Sequence, residues 1–231
     1  MVKEFVPRLE VVRERFAEVR ERVAAAARAA GRDPGEVRVL VATKYVGVEH
    51  LGVLHEAGVR LIGENRAQDL VAKHARWGDL FEYHFIGHLQ SRKTKVVLPL
   101  VTLVHSVWTE SVLEEIERRA AGPVDVLLEV NIGGEESKSG LAPEAAEGFL
   151  ALAAERYPKA RFRGLMCMPP LFDDAERARP YFARTRELAE RLSGRFHGTY
   201  TFAELSMGTS ADYEVAVQEG ATIVRVGSVL F

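Results

Sequence analysis

Cysteine is almost absent from this chain of 231 residues: Cys167 stands alone, so no intrachain disulfide can staple the fold. No cluster of Cys and His has the spacing of a zinc site, and no metal ligand set is expected. No stretch approaches the ~18 consecutive apolar residues of a membrane span. The opening segment Met1-Val2-Lys3-Glu4-Phe5 lacks the apolar run of a signal peptide. A soluble, cytoplasmic protein is therefore the expectation. Net charge is only −2, without the basic excess that marks nucleic-acid binding. Asparagine occurs only at positions 65 and 131 while Glu and Arg abound, a bias that heat adaptation and GC-rich coding both produce.

What is present is a hydrophobic content of 47%, enough to bury a sizeable core without staples. Leu9, Val12, Phe16, Val19 and Val23 recur every three or four positions and predict a long amphipathic helix over residues 7–30. An alternation then begins. Apolar runs predict short strands at 37–43, 61–63, 83–86, 103–107, 124–130, 162–166, 203–205 and 222–226. Helical stretches separate them, and Ser111-Val112-Leu113-Glu114 has the form of a capping box opening one. Eight strands alternating with helices in a chain of this length match a (β/α)8 barrel of TIM type carrying an extra N-terminal helix. An open doubly wound sheet is the alternative. No linker or low-complexity stretch divides residues 1–231, so one domain is expected.

In a barrel the chemistry lies at the C-terminal strand ends. The first strand runs into Lys44, on the same face as Leu40 and Ala42. A lysine there would be partly desolvated, which lowers its pKa and frees the amine for carbonyl chemistry. The alternative is a side chain that merely reaches solvent. The seventh strand is followed by Ser206-Met207-Gly208-Thr209-Ser210-Ala211-Asp212, and the eighth by Gly227-Ser228. Small and hydroxyl residues at these two places suit the phosphate site of barrel enzymes, although turns and helix caps use them too. Arg225 sits inside an apolar strand, where a guanidinium is costly without acceptors; Glu129, Glu204 or a ligand could supply them. His84, His88 and His105 cluster near the third and fourth strand ends, either lining a ligand or serving structure. Cys167 and its flanking methionines, Met166 and Met168, read as packing residues.

Several segments together carry a resemblance: Val41-Ala42-Thr43-Lys44, Gly63-Glu64-Asn65-Arg66-Ala67-Gln68, His84-Phe85-Ile86-Gly87-His88-Leu89-Gln90, His105-Ser106-Val107, Leu165-Met166-Cys167-Met168, Leu205-Ser206-Met207-Gly208 and Val224-Arg225-Val226-Gly227-Ser228. From about residue 10 to the end, the chain resembles the pyridoxal phosphate homeostasis proteins, the YggS/PROSC group. That resemblance implies a barrel like the N-terminal domain of alanine racemase, without the racemase's second domain. It implies pyridoxal 5'-phosphate (PLP) as cofactor, held as a Schiff base on Lys44, with Asn65 near the ring. It implies Ser206, Gly208, Gly227 and Ser228 at the phosphate and Arg225 at the pyridine nitrogen. The chain departs from the family pattern at Thr209, where Met is usual, at Arg66, where Tyr is common, and at Ser228, where Thr is common.

An arginine at the ring nitrogen favours the unprotonated ring and weakens it as an electron sink. Racemases with such an arginine add a tyrosine as second base, and no tyrosine here falls at a matching strand end, though Tyr45 adjoins Lys44. The implied function is thus PLP homeostasis: a monomeric carrier, with no catalytic residue, that buffers PLP and passes it to apo-enzymes. A stand-alone amino-acid racemase is the alternative, and a sugar-phosphate barrel enzyme with an aldolase-type lysine is a third reading. The family has a Lys-x-Gly segment after strand five, which makes Lys138, in Ser137-Lys138-Ser139-Gly140, a candidate secondary docking point for PLP.

Overall fold

The computed structural model of the chain describes residues 6–135 and 138–231. Met1–Phe5, read above against a signal peptide, and Ser137 lie outside the described residues. Eight parallel strands close into a barrel in sequence order, from β1 (Arg38–Ala42) through β2 (Leu61–Glu64), β3 (Glu82–Phe85), β4 (Leu103–Val107), β5 (Val124–Val130), β6 (Ala160–Cys167) and β7 (Glu204–Thr209) to β8 (Ile223–Val226). Strand β8 pairs with β1, with Leu40 opposite Arg225. The fold is the expected (β/α)8 barrel; closure excludes the open doubly wound sheet.

Helix α1 (Leu9–Ala29) precedes the barrel and buries Val12, Phe16, Val19 and Val23, the stripe read from the sequence. Each such side chain removed from water contributes about 1.5–3 kcal/mol before entropy is counted. Helices α2 (Leu51–Glu56), α3 (Ala67–Trp77), α4 (Thr94–Val97), α5 (Glu110–Arg119), α6 (Ala146–Arg156), α7 (Arg179–Arg195) and α8 (Tyr213–Gln218) follow β1 to β7 in alternation. Arg32, just past α1, donates from Nη1 to the carbonyls of Val217 (2.7 Å) and Ala221 (3.0 Å). A cation is thus placed on the C-terminal carbonyls of α8, where the helix dipole favours it. Among the described residues, no helix is long and apolar enough to cross a membrane.

Most of the core lies between strands and helices. A small separate cluster occupies the barrel interior, made by Leu40, Leu61, Leu103, Leu127, Met166 and Ile223. The rest of the interior is polar: Ser206, His105 and His84 are at most 1% exposed and Arg225 is 7% exposed.

Two local expectations are corrected. Helix α5 starts at Glu110 with Thr109 as its extended N-cap, and no side chain caps it. Ser111 is already in the first turn, sharing a 3.2 Å hydrogen bond with the Thr109 hydroxyl, so the capping box does not form. Strand β7 runs on to Thr209, four residues beyond its expected end at 205, because β6 and β8 both supply ladder partners for Ser206. Gly208 lies within it at φ +89°, and a Cβ there would sit 2.5 Å from Ala216 Cβ and 3.0 Å from Tyr213 Cα. Gly208→Ala adds left-handed strain to a clash with α8, so denaturant unfolding is expected to show a loss of roughly 2–4 kcal/mol. A loss within ~0.5 kcal/mol, typical of surface substitutions, would contradict this packing.

Candidate functional site

The C-terminal strand ends enclose a cleft of about 310 Å³ lined by Lys44, Asn65, Arg225, Gly227 and Ser228, together with Tyr45, Thr209 and Ser210. That volume is at the small end of ligand sites, about 300–1,000 Å³. A groove of about 480 Å³ lies at the opposite end, between α1 and the strand N-termini, lined by Phe16, Arg38, Arg60 and Glu82. The mouth cleft is the better candidate, because an amine, a guanidinium, an amide and a hydroxyl-bearing turn converge there.

Lys44 follows the end of β1 and lies in a turn, exposed, with its ammonium 5.0 Å from the centroid of the Tyr45 ring. The expected partial desolvation is not provided, because the side chain stands beyond the last barrel layer. Its position is nevertheless anchored from below. The neighbouring Thr43 hydroxyl donates to Glu64 Oε1, and Lys73 Nζ donates to the same oxygen and to the Thr43 carbonyl at 2.7 Å. Glu64 is 0% and Lys73 3% exposed. Burial pushes the Glu64 carboxyl above the usual carboxylate range, opposed by the Lys73 charge.

Arg225 reaches in from β8. Its Nη1 donates to the Ser206 carbonyl (2.7 Å) and hydroxyl (2.6 Å), and its Nη2 to the Cys167 carbonyl (3.0 Å). Neither acid considered from the sequence pairs with it directly. Glu204 bonds Arg38 and Thr222, and Glu129 accepts from Ser139. Burial lowers the pKa of the guanidinium from its ordinary value and raises that of Glu129.

The last two strand ends meet as expected. Ser210 Oγ accepts from the backbone N–H of Gly227 (3.0 Å) and of Val229 (3.4 Å). Two amides converging on one oxygen in a cleft is the arrangement an anion takes. Asp212 accepts from Thr209 N (2.6 Å) and Oγ1 (3.1 Å), pinning the turn before α8. Ser206 and Gly208 do not line the cleft: Ser206 is buried beneath Arg225, and Gly208 packs against α8. Asn65 does line it, and its Oδ1 is buried without a hydrogen-bond partner among the described residues. An orphaned acceptor beside a guanidinium and an anion-shaped turn fits a polar ring bearing a phosphate, so the residues present suit PLP. A Cβ on Gly87 would sit 2.2 Å from the Asn65 carbonyl oxygen, so this glycine of the His84–Gln90 segment lets the Asn65 backbone take its place.

Ser210 is the contact that sequence reading left out of the set, though the loop containing it was singled out. Met168, expected to pack beside Cys167 as Met166 does, instead stands 53% exposed at the rim, because it lies one residue past the end of β6. Leu171, 84% exposed, joins it there and was not legible at all, since an exposed apolar residue carries no local signature. His84 and His105 do not face the ligand side; they occupy inward positions in the barrel interior. His88 is exposed, its ring 5.9 Å from that of Trp108. Cys167 is fully buried and burial pushes its thiol up to about 11, consistent with a packing role. Lys138 Nζ pairs with Glu135 Oε1 (2.9 Å) and lies 3.4 Å from the carbonyl of Met168, a residue of the cleft.

His105 gives a pH prediction. Burial pushes its imidazole well below the usual range, so it is neutral when folded. The unfolded chain takes up that proton near pH 6.5. Stability from this group is therefore present above about pH 6.5 and lost as the pH falls. His105→Gln removes one such proton, so between pH 6 and 5 its unfolding free energy should fall less steeply than the parent's, by about 1.4 kcal/mol per pH unit. Equal slopes in urea titrations of the two proteins would show that His105 titrates normally.

Comparison with known proteins agrees with this geometry. Residues 4–231 match the family model for the alanine racemase N-terminal domain. The chain is 40% identical over 222 residues to the pyridoxal phosphate homeostasis protein of Aquifex aeolicus, covering 94% of this chain and 96% of that one. It is 42% identical over 229 residues to that of Pseudomonas aeruginosa, covering 96% of each. The solved structure of PipY from Synechococcus elongatus, with PLP bound, superposes with a TM-score of 0.82 at 30% identity, over 95% of this chain and 99% of PipY. The barrel, its mouth and these relatives agree: the chain belongs to the pyridoxal phosphate homeostasis protein family, built on the alanine racemase N-terminal barrel.

Proposed function

We propose that the protein binds PLP for cofactor homeostasis, holding it as a Schiff base on Lys44 in the mouth cleft and buffering it or delivering it to apo-enzymes. The observation that carries this reading is the convergence of Lys44, Arg225 and the Ser210–Gly227–Ser228 turn on one cleft. When bound, PLP supplies an aldehyde that condenses reversibly with a primary amine. Lys44 would provide that amine. Gly227, Ser228 and Ser210 would hold the phosphate, and Asn65 Oδ1 would accept from a polar group of the ring. Arg225, which can only donate, would face the pyridine nitrogen and keep it unprotonated. Ser206 would act through Arg225, and Gly208 through the backbone course it allows. Residues 1–231 would work as one PLP-binding domain, monomeric and in the cytoplasm.

A carrier must release its cargo, and here the amine is exposed at an open mouth. Purified protein incubated with PLP should develop a near-visible absorption band, and borohydride followed by peptide mapping should leave the label on Lys44. Protein that stays colourless would favour a sugar-phosphate barrel enzyme. Tyr45, in the cleft beside Lys44, is the one observation favouring the racemase reading, since it could act as a second base. Interconversion of D- and L-amino acids above ~1 per second would establish that reading instead. Lys138, hydrogen-bonded at the rim, would offer PLP a second docking point on its way out. Lys138→Ala should then slow transfer to an apo-enzyme several-fold while leaving the Lys44 band intact; an unchanged transfer rate removes that role.

A further inference from the structure

The polar groups inside the barrel are not scattered. Starting at the cleft, Arg225 Nη1 lies 2.6 Å from Ser206 Oγ, and Ser206 Oγ lies 2.8 Å from His105 Nδ1. His105 Nε2 lies 2.9 Å from His84 Nδ1, and His84 Nε2 lies 2.8 Å from Glu82 Oε1. Glu82 is at the far end of the barrel, half-buried, in the groove beneath α1 and bonded also to Thr102 and Arg38. Four consecutive hydrogen bonds thus cross the barrel interior, joining residues of β3, β4, β7 and β8.

The direction of every bond follows from its two ends. A guanidinium only donates, so Ser206 Oγ accepts from Arg225. Glu82 is ionised, its carboxyl held down at about 2 chiefly by the hydrogen bond to His84, and a carboxylate only accepts. His84 therefore carries a proton on Nε2. Burial favours the neutral form of both rings. A neutral His84 protonated on Nε2 must accept at Nδ1, so His105 donates from Nε2. A neutral His105 then accepts at Nδ1, and the Ser206 hydroxyl proton goes there. Reversing any link would require a second proton, and so a charge, on a buried ring or a carboxylate that donates.

We propose that Glu82, His84, His105 and Ser206 are positioning residues, a one-way hydrogen-bond chain that polarises Ser206 Oγ and holds Arg225 in a single orientation at the cleft. The chain connects a buried cation to a carboxylate it does not touch. Aligned links of this kind strengthen one another in a low-dielectric interior. Placed so, Arg225 is held without a direct ion pair among the described residues, although the charges of Asp212 and Glu129 act on it from a distance. For PLP this inference rests on the function proposed above; the proton arrangement does not.

Two measurements test it. In the PLP-free protein at pH 7, nitrogen-15 NMR of the imidazoles should show both His84 and His105 neutral and protonated on Nε2. A charged ring, or a proton on Nδ1 of either, overturns the chain. The second compares Glu82→Gln, which keeps an acceptor oxygen, with Glu82→Leu, which has none. Both substitutions are at the half-exposed end, away from the cleft. Glu82→Gln should keep the parent tautomers and bind PLP within about twofold of the parent. Glu82→Leu should shift the His84 tautomer and weaken PLP binding roughly tenfold, the scale of one hydrogen bond to a charged partner. Unchanged tautomers or unchanged PLP affinity in Glu82→Leu would overturn the proposal. Failure of the parent itself to take up PLP would instead sink the cofactor reading, with the tautomer result still deciding the chain.

Discussion

Protein carrying Lys44→Ala should stay colourless with PLP, leave no borohydride-stable label and bind the cofactor about a hundredfold more weakly, a difference of about 2.7 kcal/mol. The argument is chemical before it is structural. Among the described residues lining the cleft, Lys44 alone offers a primary amine; the Arg225 guanidinium stays protonated at any working pH and is not a nucleophile. The variant should fold normally, because Lys44 is exposed in a turn and, among the described residues, its ammonium makes a ring contact with Tyr45 and no salt bridge. Its stability should stay within ~0.5 kcal/mol of the parent. Loss of colour then reports the missing bond and not a missing fold. Residual weak binding is expected, since Ser210, Arg225 and Ser228 still line the cleft with groups that can donate to a phosphate. A near-visible band that survives in Lys44→Ala would mean that another lysine holds the cofactor.

The largest stability effect is expected at Lys73. Its ammonium is the cation paired with Glu64, and both side chains are almost wholly buried. Glu64 Oε2 already lacks a partner among the described residues, so the carboxylate depends on Oε1 and its bonds to Lys73 and Thr43. Lys73→Met removes the counter-charge and leaves the acid in the interior, a change that costs about 3–5 kcal/mol. For a chain of this size that corresponds to a fall in Tm of roughly 6–20 °C. Thr43 would also lose the donor on its carbonyl, and the turn carrying Lys44 would loosen, so PLP uptake should slow as well. Combining Lys73→Met with Glu64→Leu should restore most of the lost stability, because an apolar pair needs no compensation. A single variant that unfolds within about 1 kcal/mol of the parent would show that this pair is solvated.

The alternation of elements was legible because most strands contain a short apolar run and the long helices show an apolar stripe; Val124–Val130 and the Val12–Val23 stripe are the plainest cases. Ser206-Met207-Gly208 was read as loop because serine and glycine are poor strand formers. Two neighbouring strands override that preference, and the segment is strand to Thr209. The capping box failed for the opposite reason: its local pattern was right, but the helix begins one residue before Ser111. At the site, Lys44 and Arg225 stood out because a charge in an apolar strand demands a reason. His84 and His105 stood out in the same way, but whether they faced a ligand or served the structure was not decidable from neighbouring residues; Ser210 was indistinguishable from the other small residues of its loop.

By itself, the sequence determined the barrel class, the lysine at the first strand end and the arginine in the last, since periodicity and misplaced charge are properties of neighbouring residues. Only the tertiary structure decided that Ser206 serves Arg225 and not the cleft, that Lys44 stands in solvent, and that His84 and His105 link the two ends of the barrel. His105 and Ser206 are 101 positions apart in the chain. Their contact is a product of barrel closure and strand stagger, which set the inward-facing layers together and leave no trace in local spacing.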